Sequence, residues 1–342
     1  MSAAQALRCG VIGLGLIGQL HASILASIGD VDLVLCVDTD PKRTSACPKG
    51  TRFEAEAAAV VDAQLDAVVV ATPEHLHRGP VELALGTGAA VLCEKPFASS
   101  LEDADAMIGA AEASGRPLLV AHTLRFDPRY RAVHEAVTRG ELGSVRQLAA
   151  RRGMTAVEGH IYAGRTDLSL CLGVHDLDVM RWCAGEIDRV HAEPGFPGIV
   201  AGNPESLVAT IRFRSGAVGV LELSWALPER TGIGWDTYFA CIGSEQSAYV
   251  ELRGAEPAAA FSAGTLLPEL TYMYEVDGLP GGVLRLQDEL FVRELREPGS
   301  WPGPSLHDAR CAVEAALALR ASAASGSVAE LPLSTPAATS GR

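Results

Sequence analysis

Lys95 stands between the apolar run AAVLC and Pro96, in the triplet Glu94-Lys95-Pro96. A lysine at the carboxyl end of a buried strand can have its pKa lowered by partial burial, and it can hydrogen-bond a hydroxyl or carbonyl oxygen. A cis Lys95-Pro96 bond would fix its aim. His175 is the second group of interest. It lies in DLSLCLGVHDLDVMRWCAG, residues 167–185, which reads as a helix from about Val174 to Cys183. A catalytic reading wants a carboxylate four residues earlier, one helical turn away, but Cys171 is there. Asp178, three residues beyond His175, is placed to hydrogen-bond its ring, whereas Asp176 near the helix start can serve the helix dipole.

Three further motifs surround Lys95. Gly13-Leu14-Gly15-Leu16-Ile17-Gly18 follows the strand CGVI and opens a helix. Its glycines permit a tight turn, close approach of backbone to a pyrophosphate and close helix-strand packing, and the helix start offers free N–H groups to phosphate. Asp38 ends the apolar run VDLVLCVD twenty residues after Gly18. A carboxylate there binds the hydroxyls of an adenosine ribose and repels a 2'-phosphate, so NAD is favoured over NADP, with nearby Lys42 and Arg43 softening the preference. Thr72-Pro73-Glu74-His75-Leu76-His77 follows the run LDAVVVA, where a turn should line the cofactor cleft. His75 reads as a solvated turn residue. For His77, cleft lining and an ordinary turn both stay open.

The elements that must position these residues alternate. Apolar runs LRCGVIGL, VDLVLCVD, LDAVVVAT, AAVLCE and RPLLVAH are separated by helical stretches up to about Thr123. Continuous apolar runs fit a parallel sheet covered on both faces. After a helix at Pro128 to Arg139 the texture changes to period-two runs such as SLVATIRF, AVGVLELSWA, TYFACIG and SAYVEL, the pattern of an antiparallel sheet. A last helix spans about residues 305–325, and an Ala, Ser, Thr and Pro-rich tail follows.

The chain has 342 residues, enough for two domains, with 48% hydrophobic and 20% charged residues, the balance of a folded protein. A formal charge of -14 and the lack of any basic run argue against nucleic acid. Eight cysteines without CxxC or metal-finger spacing argue for buried free thiols, no metal and a reducing, cytoplasmic setting. No basic-then-apolar leader and no long apolar run points to a membrane.

In their order and intervals, GLGLIG, ATPEHLH, CEKPF, HTLRFDPRY and GVHDLDVMRW resemble the glucose-fructose oxidoreductase, inositol dehydrogenase and rhizopine-catabolism family (Gfo/Idh/MocA). The resemblance covers residues 7–185 and extends weakly, through CIGSEQSAYVEL, to about residue 325. It implies an N-terminal Rossmann domain with a doubly wound parallel sheet at 1–123 and an α+β domain built on a large open antiparallel sheet at 124–330. The helix at 305–325 would pack back, and a loose tail would fill 331–342. It implies a nicotinamide cofactor between the domains and a homodimer or homotetramer formed through the second sheet. The activity implied is hydride transfer at a secondary hydroxyl or ketone of a sugar, cyclitol or aminosugar. A C3-ketoreductase of nucleotide-linked deoxysugars and a catalytically silent NAD sensor are the alternatives. The acidic composition tilts toward a substrate bearing amines, such as an aminoglycoside.

In the family, the lysine of EKP and the histidine of GVHD contact the reacting oxygen, which implies catalytic roles for Lys95 and His175. The chemistry agrees: hydride leaves a carbinol carbon only as the hydroxyl proton is removed, and a donor must steady the developing charge. Which of the two is the base stays open. Cofactor contacts are expected from Gly13, Gly15, Leu16, Ile17, Gly18, Asp38, Thr72, Pro73, His77, Glu94 and Lys95. Substrate contacts are expected from Lys95, Cys171 and His175, with His160, Tyr162, Arg165, Trp235 and Asp236 as candidates. Many dehydrogenating members carry GGGxLxDxGxHD, and Cys171 takes the place of that Asp. A thiol is a poor acceptor, so Cys171 is a space-filling wall residue, an opening for a different substrate, or a reactive thiol.

Overall fold

The computed structural model describes residues 5–198, 203–228, 235–253, 259–261, 264–266, 275–276 and 278–333. The chain forms two compact units, 1–127 with 268–310 and 128–267 with 311–342.

The first unit is built on a parallel sheet of β1 (Leu7–Ile12), β2 (Val31–Val37), β3 (Arg52–Glu54), β4 (Ala67–Val70), β5 (Ala90–Glu94) and β6 (Leu118–Ala121). Their order in space is β3-β2-β1-β4-β5-β6, the doubly wound order that reverses direction beside β1. Every residue of β4 and β5 is buried, which is why these strands are continuous apolar runs. Helices α1 (Leu16–Ser27), α2 (Arg78–Gly86) and α3 (Leu101–Ser114) complete the crossovers. Ser100 caps α3 by accepting the Asp103 amide, and Gly115 ends it in a left-handed conformation.

Two features differ from the sequence reading. No α-helix lies between β2 and β4. Pro41, Pro48 and the left-handed Gly50 cut this stretch into 3-10 turns at Pro41–Ala46 and Ala57–Val60 around the short β3. The other difference is the boundary. The division expected at 123/124 gives way to one at 127/128, and 268–310 return to the first unit. That returning segment holds the short pair β15 (Glu275–Val276) and β16 (Leu279–Pro280) and the helix α7 (Gly282–Arg296). Phe291 and Val292 of α7 enter the core formed by Leu14, Ala22, Leu25, Val69 and Leu92.

The second unit has a seven-stranded sheet of β7 (Val145–Thr155), β8 (Ile187–Pro194), β9 (Ser206–Phe213), β10 (Val218–Leu227), β11 (Trp235–Gly243), β12 (Ser247–Arg253) and β17 (Ala329–Glu330). β13 (Ala259–Phe261) pairs separately with β14 (Gly264–Leu266). The large sheet runs β12-β11-β7-β10-β9-β8-β17. It is mostly antiparallel, as expected, but β7 and β10 run parallel, so the sheet is mixed. Helices α4 (Pro128–Thr138), α5 (Ala156–Ala163) and α6 (Val174–Ala184) belong to this unit, and α8 (Leu306–Ser325) is the last helix among the described residues. β9 alternates strictly between buried and exposed residues, with Leu207, Ala209, Ile211 and Phe213 inward. Of the tail, Leu331 donates its amide to Asp188 and Leu333 donates to Glu314, while 334–342 lie outside the described residues. No helix among the described residues is long and apolar enough to cross a membrane.

Because Phe291 is fully buried in the first unit's core, Phe291→Ala should lower unfolding stability by about 3–5 kcal/mol. Denaturant unfolding of the full chain measures it.

Candidate active site

In the first unit, the expected cofactor residues gather at the carboxyl ends of β1, β2, β4 and β5. Gly13 has φ +92°, and a side chain there would meet the Ala71 and Thr72 backbone at 2.7 Å. A Cβ on Gly18 would lie 1.8 Å from the Gly13 carbonyl oxygen, so only glycine lets α1 start this close to β1. Gly15 faces open space and caps α1 without a side-chain hydrogen bond. Leu16 is exposed, although large and apolar, and Ile17 is half-buried. Asp38 accepts the Leu14 amide (2.7 Å) on one carboxylate oxygen and the Asp40 amide (2.9 Å) on the other. The carboxylate is thereby fixed beside the glycine loop.

These residues fit a dinucleotide. An uncapped helix start with room above Gly15 suits a pyrophosphate, and the Asp38 carboxylate suits ribose hydroxyls. Thr72 adds an independent sign: its buried hydroxyl has no hydrogen-bond partner, as expected where a ligand supplies one. Pro73 opens the 3-10 turn Glu74–Leu76, and His75 is exposed.

His77 and Glu94 have internal roles. The His77 ring is buried, with Nε2 2.8 Å from the Thr72 carbonyl oxygen and Nδ1 3.1 Å from that of Phe97. Burial pushes its pKa down despite those carbonyls. His77 therefore braces the Thr72-Pro73 turn against the segment after Pro96. Glu94 accepts the Lys95 amide on Oε2 at 3.0 Å, while its Oε1 lies 3.1 Å from Nε2 of His21. The Lys95-Pro96 peptide is cis.

His21 was not among the expected residues. It is fully buried on α1, and its Nδ1 lies 2.8 and 2.9 Å from the two carboxylate oxygens of Asp288 on α7, itself fully buried. Burial alone would depress its pKa, but Asp288 and Glu94 overcome this and push it up to about 10. Burial likewise opposes ionisation of Glu94, yet His21 and Lys95 outweigh it and hold Glu94 below the usual carboxylate range. A polar residue on the buried face Gly18, Ala22, Leu25 was the available signal for His21.

In the second unit, a π-helical turn at Ser169–Gly173 runs directly into α6. The helical run thus starts earlier than the expected Val174. Asp167 explains this by accepting the amides of Ser169 (2.9 Å) and Leu170 (3.1 Å), a cap, while pairing with Arg320 at 3.2 Å. Cys171 and His175 are both buried, 7% and 8% exposed, and Cys171 sits inside the π turn. Such turns recur at functional sites.

Asp176 does more than complement a dipole. It is fully buried, and Arg152 of β7 grips both its oxygens, Nε to Oδ2 at 2.7 Å and Nη2 to Oδ1 at 2.9 Å. Asp178 is buried as well. Arg152 escaped the sequence reading because Arg151-Arg152 looks like a solvated pair. Strand alternation separates the two: Arg151 faces the opposite side of the sheet, toward Glu222 (2.8 Å) and Asp236 (3.8 Å).

Asp236 shares the Arg151 face, away from α6, whereas Trp235 pairs with Met154 on the Arg152 face and is partly exposed. Tyr162 of α5 lies under the Arg165 guanidinium, 5.1 Å from its ring centre, and burial together with the Cys171 thiol pushes the Tyr162 hydroxyl up. Tyr162, Arg165 and Cys171 therefore form one group. His160 is exposed on the same short helix. Among the described residues, no three His, Cys, Asp or Glu side chains are arranged to hold a metal.

Comparison with known proteins bears on both units. Residues 7–122 match the model of an oxidoreductase family with an NAD-binding Rossmann fold, and residues 130–249 match the GFO/IDH/MocA C-terminal domain. D-apiose dehydrogenase of Paraburkholderia graminis is 31% identical over 63% of this chain, and the match spans 60% of that relative's length. Myo-inositol dehydrogenase Hyg17 of Streptomyces leeuwenhoekii is 29% identical over 94% of this chain and 99% of its own. The crystal structure of GenD2 from gentamicin A biosynthesis, in complex with NAD, superposes with a TM-score of 0.82 at 25% identity, covering 97% of this chain and 98% of that one.

Arg152→Leu should leave Asp176 as an uncompensated buried charge and lower stability by about 3–5 kcal/mol. The double variant Arg152→Leu/Asp176→Leu should recover part of that loss in denaturant unfolding.

Proposed function

Since the chain belongs to the Gfo/Idh/MocA oxidoreductase family, we propose that it is an NAD-dependent oxidoreductase acting on a secondary hydroxyl, or the matching ketone, of a sugar, cyclitol or aminosugar. The observation that carries this reading is the fit of the first unit to a dinucleotide: the open Gly15 loop, the anchored Asp38 and the orphan Thr72 hydroxyl, with Lys95 at the end of β5. The names of relatives support the substrate class, since they include dehydrogenases of D-apiose and myo-inositol. Likeness to GenD2 and the formal charge of -14 favour a substrate bearing amines.

Bound NAD supplies the hydride acceptor. The chain's own residues do the rest. We assign Lys95 and His175 to the reacting oxygen: one removes the hydroxyl proton as the carbon-hydrogen bond breaks, and the other donates a hydrogen bond that steadies the charge on oxygen. As the alcohol becomes a ketone its hydroxyl proton is left on the base, and bound NAD would take the hydride. Asp38 binds the adenosine ribose, and the α1 start binds the pyrophosphate. Tyr162 and Arg165, grouped with Cys171, are candidates for the substrate's side of the second unit, where Cys171 takes the place of the carboxylate that many relatives carry.

The outer face of the large sheet supports a homo-oligomer. Val208, Val218 and Tyr249 lie on it, 50%, 45% and 60% exposed, and a second copy covering this face would bury them. Eight cysteines, none in a disulfide, support a reducing, cytoplasmic setting.

Incubating the protein with NAD and a panel of cyclitols, aldoses and aminosugars should give NADH absorbance with at least one; NAD binding without turnover of any would favour a sensor. Lys95→Ala should lower kcat by about 100-fold or more with NAD affinity retained. Asp38→Ala should reduce the preference for NAD over NADP by about tenfold or more, read from the ratio of kcat/KM values.

A further inference from the structure

Three charged side chains in the first unit are buried together where no ligand is needed to explain them. Asp288, His21 and Glu94 form a line from α7 through α1 to the end of β5, with contacts of 2.8 Å on one side of the imidazole and 3.1 Å on the other. Glu94 completes the line by accepting the amide of Lys95. Two buried carboxylates on one buried imidazole form an expensive arrangement, because hydrophobic residues of similar volume stabilise such a position at least as well. What the line adds is a fixed carboxylate next to Lys95.

We propose that His21 is a positioning residue for Lys95: clamped by Asp288, it holds the Glu94 carboxylate in the orientation that accepts the Lys95 amide, so that the carboxylate's charge acts on Lys95 from a fixed place. This rests on the assignment of Lys95 to the reacting oxygen. The protonated ring donates from both nitrogens, one to each carboxylate, and only that form can hold both. Asp288 and Glu94 are the charges that raise the ring's pKa. Of the other elements packed on α1, β4 and β16 carry no titratable side chain, Arg8 of β1 pairs with Asp32 of β2 at 3.7 Å, Arg285 of α7 pairs with Glu289 at 2.7 Å, and burial pushes up the thiols of Cys36 on β2 and of Cys9 on β1, the latter to about 12.

The pH consequence has a definite sign. His21 has a raised folded-state pKa, so its contribution is complete below its unfolded value near ~6.5 and is lost as pH rises through about 10. Removing the Asp288 charge removes the larger of the two attractions that keep the ring protonated. The loss of the Lys95 setting then moves down into the working range.

The test uses the full chain with Asp288→Asn, a site in α7 that carries no assigned cofactor or substrate contact. Histidine NMR should show His21 protonated up to about pH 10 in the wild type and titrating about two or more units lower in the variant. Competitive acetylation of Lys95, read by mass spectrometry, should change in the variant across that same lower titration. With a turned-over polyol, kcat should fall about tenfold to a hundredfold through it and return to the wild-type value below it, with NADH affinity unchanged. An unshifted His21 titration overturns the proposal. So does a shifted titration that leaves Lys95 acetylation and kcat following the wild-type curves. If no polyol is turned over, the function assigned above fails while His21 titration and Lys95 acetylation still decide this inference. Should Asp288→Asn fail to fold, Glu94→Gln is the second variant: Lys95 acetylation should then lose its dependence on His21 protonation, and an unchanged acetylation profile overturns the proposal.

Discussion

The first unit is organised around the buried imidazole of His21. His21 lies between Asp288 and Glu94, and each of the three comes from a different element: α1, α7 and the end of β5. Neither carboxylate can be left without the ring, since an unpaired buried charge costs several kcal/mol. α1 must therefore lie where His21, in its second turn, reaches the end of β5, and α7 must lie against α1. The glycine loop that starts α1 is held by the same demand from below and by the close Gly13 and Gly18 contacts from above. Phosphate-binding geometry and the Lys95 position are two ends of one helix placement.

Much of this was legible as pattern. Continuous apolar runs gave the parallel strands because burial on both faces removes any alternation, and GLGLIG followed by Asp38 gave the dinucleotide end. Period-two runs marked the second sheet but not the parallel pairing of β7 with β10, since a strand's own alternation is indifferent to its neighbour's direction. The segment with α7 escaped for a different reason. Its residues Phe291 and Val292 serve a core whose other buried members lie over 150 residues earlier, so nothing local in the sequence ties the helix to the first unit.

The stretch around His175 was misread at its edges by the same physics. Residues 168–181 are all buried, so hydrophobic periodicity could not show where the helix starts. Asp167 decided the start by capping, and Asp176 was tied to an arginine that looked like surface charge. Two carboxylates near His175 are thus spent on structure: Asp167 on the cap and Arg320, Asp176 on Arg152. What stands beside Cys171 is Tyr162 with Arg165 against it.

The return of residues 268–310 to the first unit has a consequence for how this chain can be divided. The N-terminal family match ends at residue 122, yet the counterion of His21 and the aromatic ring that seals the α1 core arrive some 165 residues later, with Asp288 and Phe291. A segment cut at the linear boundary would keep the cation and lose half its charge balance. The nucleotide-binding half is consequently not a cassette: it can be grafted onto another partner only if the distant helix travels with it.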